Sequence, residues 1–155
     1  RVSHHLVLDT NIVLDTLVFR DPRTHALHAA VFDEPVMPDL LWLATAPMRE
    51  ELERVLSYPA VQRAWSRLGT QQDSPVAVLQ WFGQHTRHCE LPPPSGLRCH
   101  DRDDQIFIDL AVAHGAVLLS KDKAVLCMAK RLATLGVSVN RQWAPAAIQP
   151  QPITP

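Results

Sequence analysis

Several short stretches of this chain are apolar almost from end to end, without the polar alternation of a strand that faces water. They are Leu6-Val7-Leu8, residues 40–46 and Ala116-Val117-Leu118-Leu119. Strands of that kind are buried on both faces, which is the habit of a parallel sheet. Helical patterns lie between them, so the expected fold class is α/β. The apolar run at 6–8 ends at a carboxylate, Asp9, followed at once by Thr10 and Asn11. In open α/β sheets ligands bind just outside the carboxyl ends of the strands. Asp9 therefore stands where such a fold builds its site.

The remaining elements follow from periodicity and punctuation. Leu27, Ala30 and Val31 repeat at helical spacing within 23–34, and Pro47 opens a helix to Ser57 whose apolar face is Met48, Leu52, Val55 and Leu56. Pro59 and Gly69 bracket a helix over 60–68, and Asp73 or Ser74, before Pro75, caps another that runs to about 85. A strand over 87–91 leads into the loop Pro92-Pro93-Pro94-Ser95-Gly96. A helix over 103–114 ends at Gly115; a strand over 116–119, a helix over 122–135 and a last strand over 137–143 complete the domain. The segment 144–155 holds four of the chain's 13 prolines and is expected to be an extended or disordered tail beyond a domain spanning 1–143.

Composition narrows the setting more than the function. The 155 residues suffice for one domain with a real core, and a net charge of −1 means that no overall basic field advertises nucleic acid. Three cysteines, Cys89, Cys99 and Cys127, are too few for a disulfide scaffold and favour a reducing, cytoplasmic setting. No stretch reads as a signal peptide or reaches the roughly 20 apolar residues of a membrane span, so no membrane role is expected.

Three further carboxylates stand at points comparable to Asp9. Among Glu50, Glu51 and Glu53, helix phase puts Glu50 opposite the apolar face and Glu53 toward solvent, while Glu51 lies at its margin beside Met48 and Val55. In Asp101-Arg102-Asp103-Asp104, the last shares a row with Ile108 and Ala111, leaving Asp101 or Asp103 to cap the helix. Asp122 comes just past the strand at 116–119. Each has an ordinary structural explanation as a cap or a solvated face. Together, four acids on four elements converge on one sheet edge, where they would repel and raise one another's pKa unless a cation were present. An all-oxygen site suits Mg²⁺ or Mn²⁺ better than zinc, and such sites recur where phosphodiesters are cut.

Leu8-Asp9-Thr10-Asn11, Glu51 before Leu52-Glu53-Arg54-Val55-Leu56, Asp104 before Ile108 and Ala111, and Ser120-Lys121-Asp122 together resemble the PIN-domain ribonucleases. The branch they are most similar to is that of toxins of bacterial toxin–antitoxin modules, and the resemblance runs from about Leu6 to Trp143. It implies a three-layer, Rossmann-like domain with a mostly parallel sheet of about five strands. It also implies a Mg²⁺- or Mn²⁺-dependent endoribonuclease that leaves a 5′-phosphate, with an activated water as nucleophile. By position Asp9, Glu51 and Asp104 match the three core acids of the family and Asp122 the fourth, more variable one. Thr10 and Asn11 match the small polar residues that hold the first aspartate. Ser120 stands where the family often has threonine. Glu50 and Asp103 are adjacent acids that a one-residue shift would select instead; helix phase favours Glu51 and Asp104. The expected partners are RNA, an antitoxin that covers the acidic groove, and a second copy of the chain. Arg102 and Lys121 are the cations best placed to hold phosphates.

Other readings of the same residues exist. His85, His88, Cys89, Cys99 and His100 have zinc-ligand chemistry, but adjacent Cys and His do not easily face one ion. A phosphatase of the haloacid-dehalogenase type wants a second aspartate two residues after the first, where this chain has Asn11, and a receiver domain wants an acidic pair that is missing. The alternative from another class is a PIN-like module that binds nucleic acid or a partner without cutting.

Overall fold

The computed structural model describes residues 4–32, 39–68 and 74–143, and at its centre is a five-stranded sheet in which every pairing is parallel. Its strands are β1 (His4–Leu8), β2 (Leu40–Ala44), β3 (Thr86–His88), β4 (Val117–Leu119) and β5 (Ser138–Asn140), in the order β3-β2-β1-β4-β5. The apolar runs form the middle of it. Leu6, Val7, Leu118 and Leu119 are wholly buried, each stabilising the fold by about 1.5–3 kcal/mol relative to an exposed side chain.

Eight helices are described: α1 (Thr10–Leu17), α2 (His25–Phe32), α3 (Ala46–Leu56), α4 (Pro59–Arg67), α5 (Pro75–His85), α6 (Gln105–His114), α7 (Lys123–Leu126) and α8 (Ala129–Ala133). The chain crosses the sheet one way from β1 to β3, then returns to β4 and β5. Right-handed crossovers therefore put the two sets of helices on opposite faces, giving three layers. α6 packs along β1 and β4, α2 against β2, and α7 and α8 against β5. The strand order reverses between β1 and β4, so the crevice at their carboxyl ends is the topological switch point of the sheet.

The main departure from the sequence reading is α1, a helix that starts straight after Asp9 and that the residue pattern did not announce. Six of its eight residues are buried, so it lacks the polar face that makes a helix visible as a period. The expected helix over 122–135 is two short ones, broken at Cys127 and Met128. The strands are shorter than expected: β3 ends at His88, with Cys89 N–H adding one more bond to Ala44 O (2.8 Å), and β5 ends at Asn140. The helix expected over 23–34 begins as a 3-10 turn, Pro22–Thr24, and continues as α2; its end at 33–34 lies outside the described residues, as do Gly69, Asp73 and the segment 144–155. Ser74 is the cap of α5, accepting from Ala77 N–H at 3.1 Å.

Candidate active site

Sheet register alone assembles the first part of the site. Leu8 pairs with Leu119, and the next amide, Asp9 N–H, donates to Leu119 O (3.0 Å), which sets Asp9 beside Ser120. Ser120 Oγ donates to Asp9 Oδ2 at 2.6 Å and accepts from Asp122 N–H at 3.0 Å, so one buried hydroxyl ties the two strand ends together. Asp9 also caps α1, its Oδ1 accepting from Asn11 N–H at 3.1 Å. Only 4% of Asp9 is exposed. Burial pushes its carboxyl pKa up, and the nearby charge of Asp122 adds to this; the bonds from Ser120 and Asn11 and the charge of Lys121 hold it back.

Glu51 comes from α3. Thr10 Oγ1 donates to its Oε2 at 2.7 Å, linking it to the residue next to Asp9. It is half-buried, while Glu50 and Glu53 are exposed and Glu53 pairs with Arg49 at 3.6 Å. Helix phase thus separates the three acids as their positions suggested. Desolvation raises the Glu51 pKa, with further contributions from the charges of Asp9 and Asp103; the Thr10 bond and Arg54 oppose the rise.

The third element is a 3-10 turn, Arg102–Asp104, at the head of α6. Asp101 caps it, accepting from Asp103 N–H at 2.9 Å, and Asp104 is 6% exposed. Carboxylate oxygens of Asp101, Asp104 and Asp122 all lie within 4.8 Å of one another. Asp104 Oδ2 is buried with no hydrogen-bond partner among the described residues. Desolvation first, then the neighbouring carboxylates of Asp122, Asp9 and Asp101, push the Asp104 pKa up to about 8. Asp122 moves the other way, because it accepts from a protonated Asp104 and from Ala124 N–H (2.9 Å). Two carboxylates this close are satisfied only by a shared proton or a cation.

The four acids expected from the sequence lie around the switch point: Asp104 and Asp122 side by side, Asp9 joined to Asp122 through Ser120, and Glu51 joined to Thr10 beside Asp9. Asp101, expected only as a cap, also belongs to the tightest group. A 3-10 turn has three residues per turn, so residues three apart lie on the same side. The 101/104 spacing was the available signal, because residues three apart are neighbours in a 3-10 and in an α-helical turn alike.

The sequence matches the PIN-domain family over residues 5–124. The chain belongs to that family. No curated protein matches it. Among solved structures it is similar to a chain of VapBC2 from Rickettsia felis, a complex bound to a DNA fragment from its promoter. The match has 15% sequence identity and a TM-score of 0.54, and it covers 87% of this chain and 98% of the other. At that identity the likeness is one of fold, and the five-stranded parallel sheet is that of a PIN domain.

Around the acids of this PIN domain the two expected phosphate contacts differ. Arg102 is exposed on the 3-10 turn, whereas Lys121 is ion-paired with Asp15 on α1. Of the residues with zinc chemistry, His85 packs against Phe32 and bonds Trp81 O (2.9 Å), Cys99 is buried with its thiol toward Ala124 O, and His88 and His100 are exposed. No helix of the described residues is long and apolar enough to cross a membrane.

Proposed function

We propose that this PIN domain is a Mg²⁺- or Mn²⁺-dependent endoribonuclease and the toxin of a toxin–antitoxin pair, acting in the cytoplasm. The observation that carries the reading is the buried, partnerless Oδ2 of Asp104 among converging carboxylates. Such a group is costly in a protein that leaves it unused. The donor set is all oxygen, which fits a hard divalent cation. Asp104 and Asp122 would hold the ion, with Asp9, Glu51 and Asp101 around it. Bound there, it supplies charge neutralisation and Lewis acidity toward water and phosphate.

The chain's own residues do the remainder. Ser120 and the Asn11 amide fix both oxygens of Asp9, and Thr10 fixes Oε2 of Glu51, leaving Oε1 free of that bond. A carboxylate with a raised pKa accepts a proton more readily, so Glu51 Oε1 takes the proton of the attacking water. The water oxygen bonds to phosphorus as the bond to the 3′ oxygen breaks, and the departing 3′ oxygen takes a proton from solvent, giving a 5′-phosphate and a 3′-hydroxyl. Arg102 pairs with a flanking phosphate. The VapBC likeness supports an antitoxin as partner; homodimer formation is part of the same proposal.

The test is cleavage of a structured RNA by purified protein in Mn²⁺, Mg²⁺ and EDTA, with Asp9→Asn as control. Asparagine keeps the shape of the side chain but sets its NH₂ against one of the two donors that Asp9 accepts from, so the variant's fold is verified by circular dichroism before its activity is read. Metal-dependent cutting that disappears in Asp9→Asn is the expected result. Full activity in the folded variant would sink the assignment, and absence of cutting in every condition would favour a module that binds without cleaving.

A further inference from the structure

Next to the acids, on the β4–β5 side of the same edge, is a second concavity of about 100 Å³. Its floor is apolar: Ile12, Leu27, Leu119 and Trp143, each no more than 7% exposed. Its rim is charged but largely self-paired. Lys121 is bridged to Asp15, and Arg23 grips Asp21 through a two-pronged contact of 2.8 and 3.2 Å. Arg141 and Gln142, both exposed, complete the rim, and neither has a hydrogen-bond or ion-pair partner among the described residues.

Three cations against two carboxylates leave the rim at +1, the complement of one phosphodiester. An apolar cavity of ~150 Å³ accepts benzene; this one is about a third smaller, so with its open mouth it admits the edge of a single flat ring. An apolar floor with a few polar groups converging above it is the usual make-up of a ligand site. The position is equally specific. Lys121 lies between Ser120 and Asp122, and Ile12 and Asp15 lie on the helix that Asp9 caps. The pocket therefore adjoins the acids through residues next to them in the chain.

We propose that this pocket binds the nucleobase of a nucleotide flanking the cut in single-stranded RNA and so sets sequence preference, an inference that rests on the nuclease reading above. The ring enters against the partly accessible edge of Trp143 and the rim, with Ile12 and Leu119 buried beneath it. Gln142, whose amide both donates and accepts, reads the base edge, and Arg141 pairs with the adjoining phosphate.

The test is binding of four fluorescent homopolymer RNAs, one per base, to the protein in Ca²⁺, measured by anisotropy for the wild type, Gln142→Ala and Arg141→Ala. Both side chains are exposed, so neither substitution endangers the fold. The wild type should prefer one base, and Gln142→Ala should lower binding of that RNA by about tenfold while leaving the others unchanged. Arg141→Ala should weaken all four alike. Equal binding of the four RNAs by the wild type, or a preference that survives Gln142→Ala, would overturn the proposal. Base-selective binding by a protein that cuts nothing would leave the pocket standing and remove the nuclease reading instead.

Discussion

At the scale of single residues, the site depends on hydroxyls as much as on acids. Ser120 donates one bond to the buried Asp9 and accepts one from Asp122 N–H, so it orders two acids of the site at once. Removing that oxygen leaves a buried carboxyl short of a donor and an amide short of an acceptor. Leaving a buried polar group unsatisfied costs about 1–3 kcal/mol. Ser120→Ala should therefore lower stability by about that amount in a denaturant titration, whereas Ser120→Thr, which keeps the hydroxyl, should lose far less. A Ser120→Ala protein as stable as the wild type would show that Asp9 is held by Asn11 alone. Ser120 is marked only through the family resemblance, and its two bonds were not legible from the sequence. The role of Thr10 was legible only as a neighbour of Asp9; its bond to Glu51 joins residues 41 apart, which no local pattern encodes.

At the scale of elements, the chain's punctuation is more reliable than its periods. Gly115 closes α6 with φ +58°, a left-handed conformation that a side chain adopts at a cost of about 1–2 kcal/mol. A Cβ there would meet only Gly136 O at 3.8 Å, an ordinary contact, so strain alone decides the effect. Gly115→Ala should lower the unfolding free energy by about 1–2 kcal/mol without altering the acids at the other end of α6, read as loss of Tm with metal affinity unchanged. The glycine and proline boundaries and the fully apolar strands could be read directly, because each reflects a local steric or burial rule. Helix α1 could not, since Ile12, Val13, Leu14 and Leu17 bury several sides of it. Asp101 was hidden for a different reason. It caps the turn three residues before Asp104, and that capping role alone accounted for an acid at its position.

At the scale of the whole molecule, a net charge near zero conceals a polarised distribution in which five acids crowd one edge of the sheet. That concentration should make stability depend on pH and on divalent cations together. Below pH about 4 the Asp104 carboxyl is protonated in both folded and unfolded chains and contributes no pH dependence. Above that value the unfolded chain releases the proton, while the folded one retains it until the pH passes about 8. The folded state then binds more protons than the unfolded state, so stability falls as pH rises across that window. The raised pKa values of Asp9 and Glu51 act in the same direction, whereas the lowered one of Asp122 acts only below about 4 and adds no slope across this window. A cation that binds only the folded protein replaces the shared proton and restores stability by mass action. Thermal melts in EDTA should therefore show Tm declining from pH 5 to pH 8.5, with the decline flattened by Mn²⁺. Asp104→Asn, which removes the charge that must be neutralised, should flatten the EDTA curve and lose most of the response to Mn²⁺. An EDTA profile that rises with pH, or an Asp104→Asn protein that still gains several degrees from Mn²⁺, would place the cation's main contacts elsewhere in the molecule.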